Sequence, residues 1–184
     1  MSTARRSAMD VSFSSSIDRT LLLTVMGRPM RHRASGPGGN LGEMWPQIGG
    51  LRTLALGTPG ELRANLNTLV LAGVKTATAG LLDEYAEQGE ELEQVGERLA
   101  LVDDHDALVG VVQVTGVEVT RFAEVRWDFA RAEGEGDRSI EEWRAGHAAY
   151  WARVGTPVTD DSEIVCVRFR LVSAGDGGAG DLGT

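Results

Sequence analysis

One lysine and two threonines stand close together in the chain, and their functional groups suit proton transfer and nucleophilic attack. Lys75 is the only lysine among the 18 basic residues, and Thr76 and Thr78 follow it. A buried ammonium can lose its proton near neutral pH and act as a base or nucleophile, whereas a guanidinium stays charged. The group is therefore a candidate catalytic site. The alternative is a chance surface lysine beside ordinary strand threonines.

A glycine-rich acidic loop forms a second candidate. Glu135, Asp137 and Arg138 precede the start of a predicted helix, where backbone N–H groups can receive a phosphate. The two carboxylates oppose an anion, but they suit Mg²⁺, which prefers oxygen ligands. A divalent metal such as Mg²⁺ is therefore a candidate cofactor, and no other cofactor is indicated. The simpler interpretation is an acidic capped loop in which Arg138 pairs locally.

Three ring-bearing residues fall on one face of the helix predicted after this loop: Trp143, His147 and Trp151. Rings of this kind can line a cleft and stack on bases. His147 can also act as a general acid or base, because histidine titrates near neutral pH. The alternative is a helix face that packs against the rest of the domain.

The histidines and the cysteine do not form a zinc site. His32 and His105 have no companion residues at metal-ligand spacing, and Cys166 is the only cysteine. One cysteine excludes an internal disulfide bond and a thiolate metal cluster. Cys166 lies in an alternating apolar segment, which favours a buried small side chain over a reactive thiol.

The element before Lys75 is predicted to be a helix. Residues Thr58 to Glu61 form a capping box with a proline at the first helical position. Apolar residues then recur at helical spacing until Gly73 ends the helix: Leu62, Leu66, Leu69 and Val70. Lys75 is therefore expected just beyond a helix end, at the entry to a strand or tight turn.

The remaining pattern indicates an α+β domain with several short strands and two or three helices. Ser139 to Glu142 form a second capping box, which opens the helix that carries Trp143. The other predicted elements are an acidic helix over 81–91, strands over 96–102, 107–114, 116–122 and 164–171, and a short helix over 125–132. Strands of this number and length favour a small, partly closed β-barrel with flanking helices.

The chain divides into one domain and two flanking segments. Residues 1–43 lack periodicity and are rich in Ser, Arg and Gly, so they are expected to be disordered. The domain is predicted over 44–172, and the Gly/Asp-rich tail, 173–184, is expected to be disordered. All five methionines lie at or before Met44, so one hypothesis is that the native chain begins there. The alternative is a genuine flexible arm.

The charge of the domain limits its partners. Residues 51–172 hold 12 basic and 22 acidic side chains, a net charge of −10. Because such a surface repels polyphosphate, it excludes non-specific coating of nucleic acid, but it allows a base, nucleoside or short RNA in a local pocket. No apolar run reaches the length of a membrane span. We expect a cytoplasmic protein without a membrane partner; the sequence does not indicate its oligomeric state.

Three blocks of sequence, in order, resemble the ASCH family. Gly73 to Thr78 is similar to its G-x-K-T-x-T signature, and Glu97 to Asp103 to its next strand. The segment from Phe129 to Ser139, followed by Trp143 and His147, resembles the long bacterial branch of the family. The resemblance covers roughly 51–172, and it rests on the order and spacing of the blocks.

The resemblance implies a fold similar to the RNA-binding PUA domain, a small β-barrel with flanking helices and a cleft. ASCH proteins are associated with RNA or nucleotide binding. One small bacterial branch hydrolyses the acetyl amide of acetylcytidine, and its catalytic lysine, threonine and glutamate correspond to Lys75, Thr78 and Glu133. The long branch has been linked to ribonuclease activity. This chain is longer than the amidohydrolases and contains the whole block from Glu133 to His147.

These observations support a hydrolase that binds RNA or a nucleoside in a cleft. Lys75 would deprotonate Thr78, and Glu133 would hold the lysine and then protonate the leaving group. The predicted substrate-binding residues are Thr76, Arg138, Trp143 and His147. The activity would be ribonuclease-like or acetylcytidine amidohydrolase-like. The alternative is a non-catalytic module that binds RNA or a modified nucleotide; a third, which no residue favours, is a protein-interaction module.

Overall fold

The computed structural model describes residues 47–175, which fold into six strands and four helices. Predictions that concern residues 1–46 and 176–184 lie outside this part of the chain. The elements are β1 (Gln47–Ile48), β2 (Leu51–Leu54), α1 (Glu61–Leu71), β3 (Ala77–Leu81), α2 (Leu82–Gln88), β4 (Arg98–Val102), β5 (Leu108–Arg121), α3 (Trp127–Glu133), α4 (Ile140–Val154) and β6 (Glu163–Ala174), with a short 3₁₀ turn at Phe122–Glu124.

The strands form one mixed sheet in the order β1-β2-β4-β5-β6-β3. Only β2 and β4 are parallel, and all other neighbours are antiparallel. The long strands β5 and β6 make the centre of the sheet, and register shifts interrupt their pairing at Val111/Val112 and Val114/Gly116. Such bulges bend a strand and increase its twist. The helices contact mainly β3 and β6, so the α+β class predicted from the sequence is confirmed.

The predicted barrel is wrong, because the sheet is not closed. Closure requires its two edge strands, β1 and β3, to pair. Within residues 47–175, β1 has two residues and pairs only with β2, while β3 pairs only with β6. The fold is therefore a curved open sheet with helices packed on it.

Of the two predicted capping boxes, the structure contains the Ser139 cap of α4 but not the Thr58 cap of α1. Ser139 caps α4, since its hydroxyl accepts a hydrogen bond from the backbone N–H of Glu142. Thr58 does not cap α1: Gly60 takes the N-cap position with φ 106°, which a right-handed helix excludes, so α1 begins at Glu61. The N–H of Gly60 instead donates to Asp104 of the loop between β4 and β5, at 2.6 Å.

The helix α4 supplies much of the core. It buries Trp143, His147, Tyr150 and Trp151, which confirms the face predicted from helical spacing. Phe122 lies between two of these rings, with centroid distances of 5.7 Å to Trp143 and 5.9 Å to Trp151. The side of α4 that faces the sheet is therefore fixed by aromatic packing, which determines where its polar atoms point. None of the helices in residues 47–175 is long and apolar enough to cross a membrane.

Candidate functional site

Lys75 enters the core because α1 ends abruptly in front of it. Gly73 has φ 70°, a left-handed conformation that stops the helix. The backbone N–H groups of Val74 and Lys75 both donate to the carbonyl of Leu69, at 2.9 and 3.1 Å, and this turns the chain toward β3. The Lys75 side chain is 0% exposed. Full burial excludes the simple interpretation of a chance surface lysine.

Two carboxylates meet the buried ammonium. The Nζ atom of Lys75 donates to Oε1 of Glu135 at 2.6 Å and lies 3.7 Å from Oε1 of Glu133. Both glutamate side chains are buried, with at most 1% exposed. A buried charge is tolerated only when it is paired, so these three residues stabilise one another as a unit.

Two glycines bring both glutamates to the same lysine. The helix α3 ends at Glu133, and Gly134 and Gly136 follow with φ of 69° and 93°, so the chain turns sharply on each side of Glu135. Gly134 also packs directly on the segment before β3: a Cβ there would lie 2.5 Å from the carbonyl oxygen of Val74. Both the conformation and the close contact therefore require glycine at this position.

Thr76 attaches the end of α3 to the start of β3. Its backbone N–H and its hydroxyl both donate to the carbonyl oxygen of Ala132, at 2.8 and 3.1 Å. The carbonyl of Thr76 in turn accepts from the N–H of Phe169 on β6, at 2.9 Å. The structure thus places Thr76 as a positioning residue for the segment that carries Glu133.

The second oxygen of Glu133 faces two side chains of α4. Its Oε2 accepts a short hydrogen bond from the indole N–H of Trp143 and lies 3.3 Å from Nε2 of His147. The imidazole stacks on the Trp143 indole at 4.0 Å between ring centroids. Its Nδ1 lies 3.1 Å from the backbone carbonyl of Trp143, which can only accept, so Nδ1 carries a hydrogen. A proton on Nε2 as well would make the ring an imidazolium; Nε2 has no hydrogen-bond partner within residues 47–175.

The surroundings shift the pKa values of Glu133, Glu135 and His147 in different directions. Burial alone would raise the pKa of Glu133, but the Lys75 ammonium, His147 and the indole N–H hold it below its usual value. Burial raises the pKa of Glu135, and the charge of Glu133 adds to the rise against the opposing effect of Lys75. Burial would lower the pKa of His147, but the Glu133 carboxylate raises it above its usual value. Of the two carboxyl groups, Glu133 has its pKa lowered and Glu135 has its pKa raised.

Several buried polar atoms of this region have no hydrogen-bond partner in the described part of the chain. They include Oε1 of Glu133, Oγ1 of Thr78, the hydroxyl of Tyr150 and the indole Nε1 of Trp151. Buried polar atoms are nearly always satisfied in proteins, so each exception calls for an explanation. Unsatisfied atoms beside a buried ion cluster are expected where a polar ligand or water binds.

Thr78 is buried in β3, but its hydroxyl is not hydrogen-bonded to Lys75. Thr78 pairs with Val167 of β6, whereas its neighbour Ala79 pairs with Cys166. Side chains alternate along a strand, so Thr78 and Cys166 point to opposite faces. Burial and then the charge of Glu133 raise the pKa of Cys166 to about 12. The structure thus brings Lys75 and Glu133 together, and the hydroxyl of Thr78 forms no hydrogen bond with either of them.

The other predicted substrate-binding residues lie in different environments. Arg138 is on the surface, with 68% of its side chain exposed, and pairs with Glu142 in the first turn of α4. Trp143 and His147 are fully buried and contact Glu133, so neither ring forms the wall of an open cleft. Besides Oε2 of Glu133, Trp143 packs against Phe122 and His147 packs against Trp151.

The acidic loop does not form a cation site in this structure. The Glu135 carboxylate is buried and accepts a hydrogen bond from Lys75. Among residues 47–175, no group of three or more His, Cys, Asp or Glu side chains is arranged to hold a metal ion. The Mg²⁺ alternative therefore receives no support from the loop geometry.

Sequence reasoning did not identify Glu135 as a partner of Lys75. The available signal was its position between two glycines, because only glycine readily adopts the backbone conformations found at Gly134 and Gly136. Two such turns in succession place residues 133 and 135 on the same side of the chain. This placement depends on the φ values of Gly134 and Gly136, and the presence of a glycine allows these values without determining them.

Comparisons with known proteins agree with the three sequence blocks. A family model for the ASCH domain matches residues 52–173. No curated protein is similar enough to this chain to count as a match.

Two solved structures are similar to this chain at TM-scores above 0.5. Protein EF3133 from Enterococcus faecalis V583 is 28% identical with a TM-score of 0.56, covering 63% of this chain and 72% of its own. An ASCH domain from Lactobacillus crispatus JV V101 is 27% identical with a TM-score of 0.52, covering 60% of this chain and 72% of its own. Both similarities concern the domain that carries Lys75 and Glu133.

Proposed function

The chain belongs to the ASCH domain family, and we propose that it binds RNA or a nucleoside and hydrolyses it at a site containing Lys75, Thr78 and Glu133. The proposal keeps both hydrolytic activities expected from the sequence, ribonuclease-like cleavage and removal of the acetyl group from acetylcytidine. In either reaction, water or a hydroxyl attacks a carbonyl carbon or a phosphorus atom while a nitrogen or oxygen leaves.

The observation that carries the proposal is the ammonium of Lys75 held between two carboxylates in the core, beside an unsatisfied oxygen of Glu133. Burying three charged side chains costs more free energy than packing apolar side chains of the same size. Strongly perturbed carboxylates close to a lysine are typical of catalytic sites, although structural ion networks also produce them. The unsatisfied Oε1 of Glu133 gives this cluster an acceptor with which a substrate or attacking water can bond.

Each residue has a chemical role in the proposed reaction. The ionised Glu133 accepts the proton of the attacking water or hydroxyl, and Lys75 stabilises the negative charge that develops on the substrate oxygen. Thr78 supplies the attacking hydroxyl only if its side chain turns toward Lys75, because the two are not hydrogen-bonded here. Trp143 and His147 fix the orientation of Glu133, and Thr76 holds the end of α3 in place.

A small groove lies between α3 and the strands β5 and β6, and neither Lys75 nor Glu133 lines it. Phe129, Cys166 and Arg168 contribute to its lining, and Cys166 is the residue whose pKa is raised by burial and by Glu133. Arg168 lies over the Phe129 ring, 5.4 Å from its centroid. Three carboxylates also line the groove, those of Glu118, Glu124 and Asp128, and Asp128 pairs with Arg168, so the groove does not favour an anionic phosphate. Arg138, on the surface, would contact the backbone of a longer RNA.

A non-catalytic reader of RNA or of a modified nucleotide is the second candidate. It is favoured by the complete burial of Lys75 and Glu133 and by the absence of a hydrogen bond between Lys75 and Thr78. The net charge of −10 on residues 51–172 counts against tight binding of long RNA. A reader would bind a nucleoside with little dependence on salt, since few counterions are released.

The test is turnover by the full-length purified protein on acetylated cytidine nucleosides and on short single-stranded RNAs, with products identified by mass spectrometry. Glu133→Gln is the inactive control, and Arg153→Ala, an exposed residue of α4, is the matched surface control. Product formation that is lost in Glu133→Gln and kept in Arg153→Ala supports a hydrolase. Binding without any product in the wild type would replace the hydrolase by the reader.

A further inference from the structure

Two buried polar atoms of the ion cluster are close neighbours, and neither is hydrogen-bonded. Oε1 of Glu133 and Nε2 of His147 each have no hydrogen-bond partner within residues 47–175. Nε2 lies 3.3 Å from Oε2, the other oxygen of the same carboxylate, which places the two atoms together. Both side chains are 0% exposed, so bulk solvent does not satisfy them.

The neutral ring of His147 presents an acceptor to this carboxylate. Nδ1 donates to the backbone carbonyl of Trp143 at 3.1 Å, which leaves the lone pair of the neutral imidazole on Nε2. Oε2 of Glu133 already accepts from the indole N–H of Trp143. Oε1 and Nε2 therefore call for a group with two hydrogen atoms, one for each acceptor.

The ammonium of Lys75 lies beside the same carboxylate and has N–H groups to spare. Its hydrogen bond to Glu135, at 2.6 Å, uses one of three. Its distance to Oε1 of Glu133 is 3.7 Å, which is too long for a direct hydrogen bond but suits a pair of groups bridged by a water molecule. Lys75, Glu133 and His147 thus offer one donor and two acceptors to a single small molecule.

We propose that Lys75, Glu133 and His147 together bind one water molecule, and that this water, rather than the Thr78 hydroxyl, is the attacking nucleophile of the site. The proposal rests on the proposed hydrolysis and replaces the nucleophile that the sequence led us to expect.

The hydrogen-bonding capacity of water matches the three groups. Its oxygen accepts from the Lys75 ammonium, and its two hydrogen atoms go to Oε1 of Glu133 and Nε2 of His147. Three hydrogen bonds are typical of a buried water molecule. The hydroxyl of Thr78 carries one hydrogen atom and cannot satisfy both acceptors, and it has no hydrogen bond to Lys75 through which the lysine would activate it.

The proposed step is balanced by these residues. The water oxygen bonds to the carbonyl carbon or phosphorus, and the proton on the side of Glu133 passes to Oε1 while Nε2 of His147 holds the other hydrogen and orients the oxygen. The bond to the leaving nitrogen or oxygen breaks, its electron pair stays on the leaving atom, and that atom takes the proton from Glu133. The carboxylate is then ionised again. Lys75 stabilises the negative charge on the substrate oxygen with a further N–H group.

A crystal structure of the full-length protein that resolves ordered waters tests the binding site without requiring turnover. One water should lie within about 3.2 Å of Nζ of Lys75, Oε1 of Glu133 and Nε2 of His147. A structure in which Nε2 donates directly to Glu133, or in which no water bridges the three atoms, overturns the proposal.

The identity of the nucleophile is tested by stopping the reaction on acetylcytidine with acid during turnover and measuring the mass of the protein. Direct attack by water leaves the protein unmodified, whereas attack by Thr78 places the acetyl group on its hydroxyl. Unmodified protein is the expected result. An acetyl ester found on Thr78 overturns the proposal.

The role of His147 is tested by the pH dependence of kcat. The charged groups that face its ring are Glu133 at the end of α3, Glu135 in the loop that follows, and Lys75 beyond Glu133. Burial would lower the pKa of His147, but Glu133 raises it above its usual value of 6.5. Because a protonated Nε2 cannot accept from the water, kcat on acetylcytidine should fall as the pH decreases through this raised value.

His147→Gln is the informative variant, since it removes the titrating ring. It should lower kcat by about 100-fold with little change in KM, because a misplaced nucleophile slows the reaction without weakening substrate binding. The fall in kcat above pH 6.5 should also be absent. A higher KM with unchanged kcat, or a pH profile like that of the wild type, would mean a structural role and overturn the proposal.

Phe122→Leu is the matched packing control. Phe122 packs on the rings of Trp143 and Trp151 but carries no polar side-chain atom, so the variant should keep the pH profile of the wild type. If the wild type turns over no substrate, the proposed function fails and the nucleophilic role of the water fails with it. The crystal structure still decides whether the three residues bind the water.

Discussion

Lys75 and Glu135 are 60 residues apart in the sequence, yet Nζ of the lysine lies 2.6 Å from Oε1 of the glutamate, in a part of the core that solvent does not reach. The contact joins the end of α1 to the loop after α3. It forms because Gly73, Gly134 and Gly136 adopt left-handed conformations that few other residues tolerate. The ion cluster is therefore part of how the fold is held together, and changes to it should alter stability as well as any activity.

Lys75→Met should destabilise the protein by about 3–5 kcal/mol at pH 7, because it leaves the Glu133 anion buried without its main counter-charge. This loss of stability should be smaller at pH 5, because protonation of the buried carboxylates removes their unpaired charge. Urea unfolding at both pH values measures the change. Arg138→Ala, which breaks an exposed ion pair, should cost less than about 1 kcal/mol. Equal costs for the two substitutions would mean that the buried cluster contributes no net electrostatic stabilisation.

His147 should make stability depend on pH in a definite direction. Its pKa is raised in the folded protein by Glu133, against the effect of burial, so its stabilising contribution is complete below the unfolded value of about 6.5. The contribution is lost as pH rises through the folded value, at no more than about 1.4 kcal/mol per pH unit.

The matched comparison for this effect is His147→Gln. Glu135, whose pKa is raised chiefly by burial, acts in the same direction, so the informative quantity is the difference in unfolding free energy between the wild type and the variant. The difference in unfolding free energy between the wild type and His147→Gln should become smaller as the pH rises from 6 to 9. A difference that is constant over this range, or that grows, contradicts an imidazolium beside Glu133.

Gly134→Ala should be much more harmful than Gly136→Ala. Both glycines have positive φ, but a Cβ at Gly134 would lie 2.5 Å from the Val74 carbonyl, while nothing lies within 4 Å of one at Gly136. We expect about 3 kcal/mol of destabilisation for Gly134→Ala and about 1–2 kcal/mol, from backbone strain alone, for Gly136→Ala. Thermal unfolding of the two variants measures the difference, and similar melting temperatures would rule out tight packing of α3 on the segment before β3.

Trp143→Phe should remove the indole hydrogen bond to Glu133 while keeping an aromatic ring in the core. Hydrogen bonds to charged groups contribute about 1.5–3 kcal/mol, so a loss of at least that size is expected. Trp127→Phe, at a half-buried position of α3, is the matched control and should cost less. Denaturant unfolding compares the two; a smaller loss at Trp143 than at Trp127 would show that the indole N–H does not support the carboxylate.

Local patterns in the sequence were enough to predict α4. Ser139 supplied its cap, and helical spacing identified Trp143 and His147 as its buried face. The start of α1 was predicted wrongly because Gly60 takes the N-cap position with a positive φ, and its N–H bonds with Asp104, 44 residues further along the chain. The prediction of a closed barrel was also wrong. The order of the strands depends on pairing between segments that are far apart in the sequence, such as β3 and β6.

The candidate site was predicted in part. Family-like spacing selected Lys75 and Glu133, and their side chains do meet. The hydroxyl of Thr78 makes no hydrogen bond with Lys75, because Lys75 lies in the turn before β3 and a sequence does not specify the geometry of that turn. Glu135 was considered only as a metal ligand, since its inward direction depends on two glycine conformations. Residue types in the sequence therefore indicated a site, whereas the three-dimensional contacts show which residues belong to it.

The most direct test of a catalytic Lys75 is the turnover rate of Lys75→Arg relative to the wild type, on acetylcytidine and on single-stranded RNA. Arginine keeps a positive charge for Glu133 and Glu135, but its planar guanidinium spreads that charge over three nitrogens, so it does not replace the compact ammonium that stabilises the substrate oxygen. Near-UV circular dichroism verifies that the variant retains the native core. We predict a folded protein whose turnover has fallen by about 100-fold or more. Wild-type turnover in folded Lys75→Arg, or no turnover by the wild type itself, would contradict a hydrolytic site built on this lysine.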